Sequence, residues 1–173
     1  MLCSRNGIGT RRAVVGALGL ALGALTSGCF RPMLAENTAS GGLIGRIGYP
    51  DFNDRFGYHL NQSLADRLGR TESRDFLLAV KTRIKRDDLA ITQDNAITRI
   101  SLTATADWAL FRNGETEPLI SDQVVSQSGY NSTSSLFATR EAKRDIERRL
   151  ARDLGERIAR RVLARADTFT QAG

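Results

Sequence analysis

The side chains that could do chemistry in this 173-residue sequence are few and scattered. His59 is the only histidine, and the two cysteines are Cys3 and Cys29. His59 lies in a helical pattern without a nucleophile turn, so a half-buried helix residue is favoured over a triad recruiting Asp54 or Ser63. A metal site lacks ligands, because such sites draw on several His and Cys side chains. We therefore predict no catalytic residue, no metal ligand and no cofactor.

Cys29 follows a basic segment and then a short apolar segment. Residues 1–12 carry three arginines and no acidic residue, and residues 13–25 read AVVGALGLALGAL without one polar side chain. A basic start, a short apolar run and small residues are typical of a secretory signal. A transmembrane anchor is disfavoured, because a bilayer span needs roughly 20 apolar residues. The stretch that closes the run, LTSGC over residues 25–29, resembles a bacterial lipobox.

The lipobox resemblance implies cleavage after Gly28 and acylation of Cys29, with chains such as palmitate, as the new N-terminus. Thr26 stands where such motifs usually have leucine. Phe30 rather than aspartate follows the cysteine, which by the pattern of enteric lipoproteins implies the outer membrane. More than one acyl chain anchors a protein durably to a bilayer. Cys3 would leave with the signal, so the mature chain would hold no free thiol and no disulfide.

The charge and the length of the mature chain limit its possible partners and its number of domains. The full chain has a formal net charge of +6, but removal of the three signal arginines leaves about +3, a modest excess. Nucleic acid is a poor partner for such an exported chain. We divide the sequence into a signal peptide over residues 1–28, a lipidated flexible tether over 29–42, a single α+β domain over 43–166 and a frayed tail over 167–173.

Hydrophobic periodicity predicts six elements in that domain. Apolar side chains recur every four residues from Phe52 to Leu68, which predicts a helix that Gly69 stops. Asp51 or Asn53 can cap its start. A short strand precedes this helix, and three strands and a long charged helix follow it. The predicted ranges of these five are residues 43–49, 76–86, 97–111, 119–130 and 135–166.

The element order β-α-β-β-β-α predicts an α+β fold. Because each helix has one apolar stripe, both can cover the same face of a four-stranded sheet, giving a two-layer sandwich. Side chains alternate between apolar and polar along residues 97–111, as in a strand with one covered face. Asn113-Gly114 then predicts a hairpin. The uncovered face of the sheet is expected to be polar and partly basic.

Five basic side chains are candidates for binding an anionic ligand. Alternation places Lys81, Arg83 and Lys85 on one face of a strand. Arg99 shares the polar face of the next strand, and Arg140 opens the last helix, where the helix N-terminus favours anions. Phosphates accept charge-assisted hydrogen bonds from such groups. A merely solvated face explains the same pattern, and this alternative stays open.

One known family resembles this chain in several stretches taken in order. They are the lipobox with Phe30-Arg31-Pro32, the strand ITRISLTATADWAL, the Asn-Gly hairpin, and YNSTSSLFATREAKRDIERRLARDLGERIARRVL. These are similar to the LptE family, in particular its alphaproteobacterial branch, over essentially the whole chain. Phe30 and Met33-Leu34 depart from residues common in that branch. The family consists of Gram-negative lipoproteins of lipopolysaccharide assembly.

The resemblance implies partners and a location. One implied partner is an LptD-like outer-membrane β-barrel that translocates lipopolysaccharide, with this protein seated inside it as a plug. The other is lipopolysaccharide itself. The implied location is the outer membrane, which the protein would reach through its lipid anchor. The implied role is to assist barrel assembly and lipopolysaccharide insertion at the cell surface. The anionic ligand for Lys81, Arg83, Lys85, Arg99 and Arg140 would then be the lipid A phosphates of lipopolysaccharide.

Two alternatives of other classes remain. A periplasm-facing lipoprotein that binds an amphiphile or polyanion as a carrier or chaperone would need a roomy apolar pocket. A lipid-anchored hydrolase would need convergent His, Cys or paired carboxylates, which the sequence does not supply. Co-purification with a β-barrel in detergent separates the assembly partner from both.

Overall fold

The computed structural model describes residues 41–91 and 97–170, and its elements follow the predicted order. They are β1 (Ile47–Gly48), α1 (Arg55–Leu68), β2 (Phe76–Ile91), β3 (Ile97–Arg112), β4 (Pro118–Asn131), α2 (Leu136–Ala164) and a short α3 (Ala166–Thr170). The α+β class is thereby confirmed. The predicted signal peptide, Cys29 and most of the tether lie outside the described residues, and the division into tether, domain and tail stays a prediction.

The four strands form one mixed sheet in the order β1-β2-β3-β4. β1 runs parallel to the start of β2, with Ile47 beside Phe76. The other neighbours are antiparallel. The even-numbered residues of β3 from Ile100 to Leu110 are all buried in one core with the apolar stripes of α1 and α2. The helices therefore cover one face of the sheet, as predicted.

α1 is an amphipathic helix whose N-cap residue, Asp54, follows both of the predicted caps in the sequence. The Asp54 side chain accepts a hydrogen bond from the Gly57 N–H at 3.2 Å, so the prediction of Asp51 or Asn53 as the cap is wrong. An apolar stripe then faces the core, because apolar residues spaced by four share one side of a helix. The buried members of this stripe are Phe56, Leu60, Leu64 and Leu68.

α2 begins after Ser135, whose side-chain oxygen accepts from the Ala138 N–H at 3.3 Å. Its buried stripe is Ile146, Leu150, Leu154, Ile158 and Val162. The two helices meet where the Ser63 hydroxyl donates to the Arg152 carbonyl at 2.9 Å. Over the described ranges, no helix combines the length and the apolar character needed to cross a bilayer.

The first strand is shorter than predicted. A 3₁₀ turn (Gly41–Leu43) opens the described chain, and only Ile47–Gly48 of the predicted 43–49 pairs as a strand. The reason lies at Gly45, where φ is 78° and the N–H donates to the Leu68 carbonyl at 2.9 Å. Glycine adopts this conformation without a steric penalty. The backbone there fastens the end of α1 instead of extending the sheet.

β2 is a longer strand than predicted, and it pairs antiparallel with β3 along its length. β2 continues to Ile91 instead of ending at residue 86. Near its end Asp88 pairs with Ile100 and Ala90 with Arg99, so Leu89 is the extra residue of a β-bulge. On the covered face, the Ile84 side chain is still 42% exposed. This end of β2 therefore projects past the cover that the helices provide.

Candidate ligand-binding surface

The helix-free face of the sheet carries the predicted basic strip. We use this name for the face that presents the odd-numbered residues of β3. Lys81, Arg83 and Lys85 project from β2 on this face, and all three are exposed. Their partners on β3, in the same order, are Asp107, Thr105 and Thr103. Strand alternation thus brings the three cations into one column beside a column of polar side chains.

Two of these three cations have carboxylate partners. Arg83 Nη2 lies 2.7 Å from Asp107 Oδ2, and Lys85 Nζ lies 2.8 Å from Asp87 Oδ1. Such exposed pairs contribute only about 0.2–1 kcal/mol each. Both cations can therefore exchange a carboxylate for a phosphate at small cost. Within the described residues no carboxylate lies within ion-pair distance of Lys81.

Arg99 and Arg140 lie at the far end of the sheet, away from β1. Arg99 is exposed on β3 and pairs with Asn131 of β4. Arg140 is exposed in the second turn of α2, which belongs to the layer on the opposite face. In the part of the chain that the structure describes, neither guanidinium has a carboxylate at ion-pair distance. The structure thus gathers Lys81, Arg83, Lys85 and Arg99 on one face and leaves Arg140 to approach them only around the end of the sheet.

Two perturbed carboxylates serve as structural ties. Asp122 Oδ1 accepts from the Gln123 N–H at 2.7 Å, and Asp122 Oδ2 accepts from Arg161 Nη1 at 2.5 Å. The Gln123 hydrogen bond, followed by Arg161, holds the pKa of Asp122 below its ordinary value. The Arg46 guanidinium, with help from Ser73, does the same for the pKa of Asp75. A lowered pKa suits a fixed anion, whereas a general acid needs a raised one.

His59 is half-buried on α1, as predicted, with its ring 5.4 Å from that of Tyr58 in an edge arrangement. The two residues that a triad would recruit have structural roles. Asp54 caps α1, and Ser63 donates to a carbonyl of α2. No group of three His, Cys, Asp or Glu side chains is placed to hold a metal among residues 41–91 and 97–170.

A groove of about 340 Å³ lies between α1 and α2. Its lining is Gln62, Ser63, Asp66, Arg67, Arg152 and Glu156. Arg67 and Glu156 form an ion pair across it at 3.3 Å. Acyl chains favour apolar walls, so this polar groove does not supply the pocket that a carrier of amphiphiles would need.

The sequence interpretation missed two apolar side chains at the start of α2. Leu136 is 73% exposed and Phe137 is 75% exposed. Both fall outside the four-residue repeat of the buried stripe, and this mismatch was the signal that could have found them. Large side chains off the stripe of an amphipathic helix point to solvent unless something else covers them.

The fold is a two-layer α+β sandwich with one bare sheet face, and comparisons with known proteins place it in a family. A family model described as LptE, lipopolysaccharide-assembly, matches residues 45–162. This span runs from just before β1 to the last turn of α2. The chain therefore belongs to the LptE family of lipopolysaccharide-assembly proteins, which confirms the resemblance seen in the sequence.

Solved structures share the fold. One from Caulobacter crescentus CB15 is 20% identical, with a TM-score of 0.61 over 75% of this chain and 96% of that one. The rare lipoprotein B of Shewanella oneidensis is 10% identical, with a TM-score of 0.54 over 72% and 96%. A minor lipoprotein of Acinetobacter baumannii is 14% identical, with a TM-score of 0.54 over 70% and 93%. A search of curated proteins finds no match.

Proposed function

We propose that this protein is a lipid-anchored, non-catalytic partner of the LptD-like β-barrel that translocates lipopolysaccharide, seated in that barrel as a plug at the outer membrane. In this role it assists barrel assembly and the insertion of lipopolysaccharide at the cell surface. The observation that carries the proposal is the family match, which spans every strand and both long helices instead of one element.

The attachment in this proposal is acylated Cys29. Intact mass of protein extracted from membranes should show acyl additions on a chain that starts at Cys29. An unmodified Cys29, or a retained segment over residues 1–28, contradicts the attachment. This measurement is independent of any partner.

The partner is tested by purifying the acylated protein in detergent. The expected result is a stable complex with an outer-membrane β-barrel of lipopolysaccharide transport. Recovery without a barrel, combined with binding of lipopolysaccharide in solution, would instead favour the carrier or chaperone alternative. The measurement thus distinguishes a barrel partner from a carrier or chaperone, a distinction that the family match alone does not make.

In the proposed role, lipopolysaccharide contacts the basic side chains Lys81, Arg83, Lys85, Arg99 and Arg140. The support is their exposure and, for Lys81, Arg99 and Arg140, the lack of a carboxylate at ion-pair distance within the described residues. Phosphate oxygens accept charge-assisted hydrogen bonds, so they can compete for Arg83 and Lys85 as well. The dispersed arrangement also suits competition with the divalent ions that bridge lipopolysaccharide molecules.

The basic strip is tested by changing Lys81, Arg83 and Arg99 together to Glu. We expect loss of lipopolysaccharide binding with the fold and the barrel complex retained, and wild-type binding should weaken with salt because exposed charges are screened over about 8–10 Å. A matched control changes Arg144 and Arg148 of α2 to Glu, since both already pair with acidic residues of their own helix. Unchanged binding and salt response in the triple variant would leave the strip as a solvated face.

A further inference from the structure

β4 forms one edge of the sheet, because β3 is its only neighbour in the sheet order. Two contacts show which way its main chain points. The Gln123 N–H donates to Asp122 Oδ1 at 2.7 Å, and the Gln123 carbonyl accepts from Arg161 Nη1 at 2.9 Å. Both main-chain groups of Gln123 therefore face away from β3, and every second residue of an antiparallel strand repeats this direction. The outward groups that follow are those of Val125, Gln127, Gly129 and Asn131.

This part of β4 lacks the features that normally protect a sheet edge. We call the outward side of residues 125–131 the open edge. Its four outward residues are exposed, and their outward groups have no main-chain partner in the part of the chain that the structure describes. Natural edges are blunted by charged side chains, proline or bulges. Residues 123–131, QVVSQSGYN, hold no charge and no proline, whereas the free edge of β2 carries Lys81, Arg83 and Lys85.

α2 adds positive charge beside the open edge. Asp153 of α2 accepts from the Ser126 hydroxyl of β4 at 2.5 Å, so this side of the helix faces the strand. Arg149, Arg157 and Arg160 share that side, because they follow the helical spacing of three and four residues around Asp153. Arg149 and Arg157 each pair with an aspartate of their own helix. Arg160 is exposed and has no carboxylate at ion-pair distance among residues 41–91 and 97–170.

These features define the chemistry of an added strand. A strand that pairs with the open edge directs alternate side chains to the helix side and to the bare side of the sheet. On the helix side they meet the arginines of α2, which favour Asp and Glu. On the bare side they meet Val125, which is 45% exposed, and the uncharged Gln127. In this mode of recognition, main-chain hydrogen bonds supply affinity and the alternate side chains supply specificity.

A second copy of this chain is a poor occupant of the open edge. α2 packs over both β3 and β4. Pairing of two β4 strands would therefore set two α2 helices side by side, with their arginines facing one another. Such opposition of like charges disfavours association. The charge on α2 thus favours a different, acidic partner.

We propose that the open edge of β4 binds an extended segment of a partner protein by strand addition, with acidic side chains on the helix side of that segment. The segment extends the sheet beyond β4. Its carboxylates bind Arg160 and compete for Arg149 and Arg157. This inference goes beyond the proposed function, because the ligand is a polypeptide instead of lipopolysaccharide. Its test requires neither lipopolysaccharide nor the barrel.

The probe is a fluorescein-labelled peptide of about nine residues, a usual strand length, in which glutamate alternates with threonine. Fluorescence anisotropy measures its binding to the full chain purified in detergent, and hydrogen exchange reports which amides it protects. We expect protection at Val125, Gln127 and Gly129. N-methylation of one alternate set of peptide amides, the set that faces β4, should weaken binding at least tenfold. N-methylation of the other set should not, and lysine in place of glutamate should weaken binding.

Variants of the protein test the same contact from the other side. Val125→Pro removes an outward N–H, and proline is tolerated at an edge position whose N–H faces solvent. It should weaken peptide binding at least tenfold without changing thermal unfolding by circular dichroism. Thr82→Pro on the free edge of β2 is the matched control and should bind as wild type does. The Thr82 N–H also faces outward, in step with the Phe76 N–H that donates to the Arg46 carbonyl. Arg160→Glu should weaken binding of the glutamate peptide.

Lack of binding by the glutamate peptide, equal binding of the lysine peptide, or equal losses from both sets of N-methyl groups overturns the proposal. Protection confined to amides outside residues 125–131 overturns it too. The methylated peptides decide the matter even where Val125→Pro fails to fold, because they leave the protein unchanged. Dimerisation of wild type that Val125→Pro abolishes would make the open edge a self-association surface, against the proposal. Failure of wild type to co-purify with a barrel is a different result, and it bears only on the proposed function.

Discussion

Gly155, where α2 crosses α1, allows the helix packing to be tested with a single methyl group. A Cβ at this position would lie 2.8 Å from Ser63 Cβ, 2.9 Å from Ser63 Oγ and 3.0 Å from the Leu60 carbonyl oxygen. Carbon atoms pack best at about 3.5–4.0 Å, so Gly155→Ala must push the helices apart. Neither the Leu60 carbonyl oxygen nor the Ser63 Cβ can move away by a side-chain rotation, because both are fixed by the backbone.

The expected sign follows from two opposing free energies. Replacing Gly by Ala inside a helix stabilises it by about 1 kcal/mol when nothing is in contact. Overpacking a tight site costs about 1–3 kcal/mol. We therefore expect Gly155→Ala to lower the free energy of unfolding by about 1 kcal/mol and the Tm by roughly 4 °C. Thermal and urea unfolding of purified protein measure both quantities.

A second variant separates the contact from other effects. Ser63→Gly removes the Cβ and Oγ that Gly155→Ala would strike, although it also removes the hydrogen bond to Arg152. In the Ser63→Gly background only the 3.0 Å contact with the Leu60 carbonyl oxygen remains, so Gly155→Ala should cost less than in wild type, giving a coupling free energy of about 0.5–3 kcal/mol between the two sites. A rise in Tm for Gly155→Ala alone would refute the packing argument.

Three further predictions follow from the same structure. Leu60 is fully buried, so Leu60→Ala should cost about 2–5 kcal/mol, and a wild-type melting curve would show that the core-facing side of α1 is misassigned. His59→Ala, if folded, should leave outer-membrane lipopolysaccharide at its normal level, whereas a folded variant without function would reopen an enzymatic reading. Because hydrogen bonds from Gln123 and Arg161 lower the pKa of Asp122 beneath its ordinary 3.8, this carboxylate stabilises the fold above that pH and loses its contribution as pH falls further. Asp122→Asn should therefore be less stable than wild type at pH 7 but lose less stability when the pH is lowered to 3. Urea unfolding at the two pH values measures both differences. Equal losses in the variant and wild type would contradict a stabilising role for the Asp122 carboxylate.

Periodicity in the sequence determined the class of fold and most of the core. Alternation along residues 97–111 and the four-residue repeat from Phe52 to Leu68 each mark one apolar side, and an apolar side must be buried against another element. The same alternation placed Lys81, Arg83 and Lys85 on one face, because the period of a strand does not depend on its partners. The order of elements, with the lipobox, was also enough to indicate the family.

Other features depended on contacts between residues far apart in sequence, and only the tertiary structure decided them. The first strand is shorter than predicted because the Gly45 N–H donates to the Leu68 carbonyl at the end of α1. β2 extends beyond residue 86, where its hydrophobic alternation had predicted its end. Antiparallel pairing with β3 continues there through backbone hydrogen bonds, even though the helices no longer cover the sheet.

The candidate surfaces show the same division. Sequence spacing could not reveal that Arg83 is paired with Asp107, whereas Arg99 and Arg140 have no carboxylate at ion-pair distance among the residues that the structure describes, because pairing across strands depends on register. Nor could it show that the open edge of β4 lies beside the arginines of α2. A strand period and a helix period each assign a side chain to a face of its own element, but the meeting of two elements at one edge of a sheet is set by how they pair and pack.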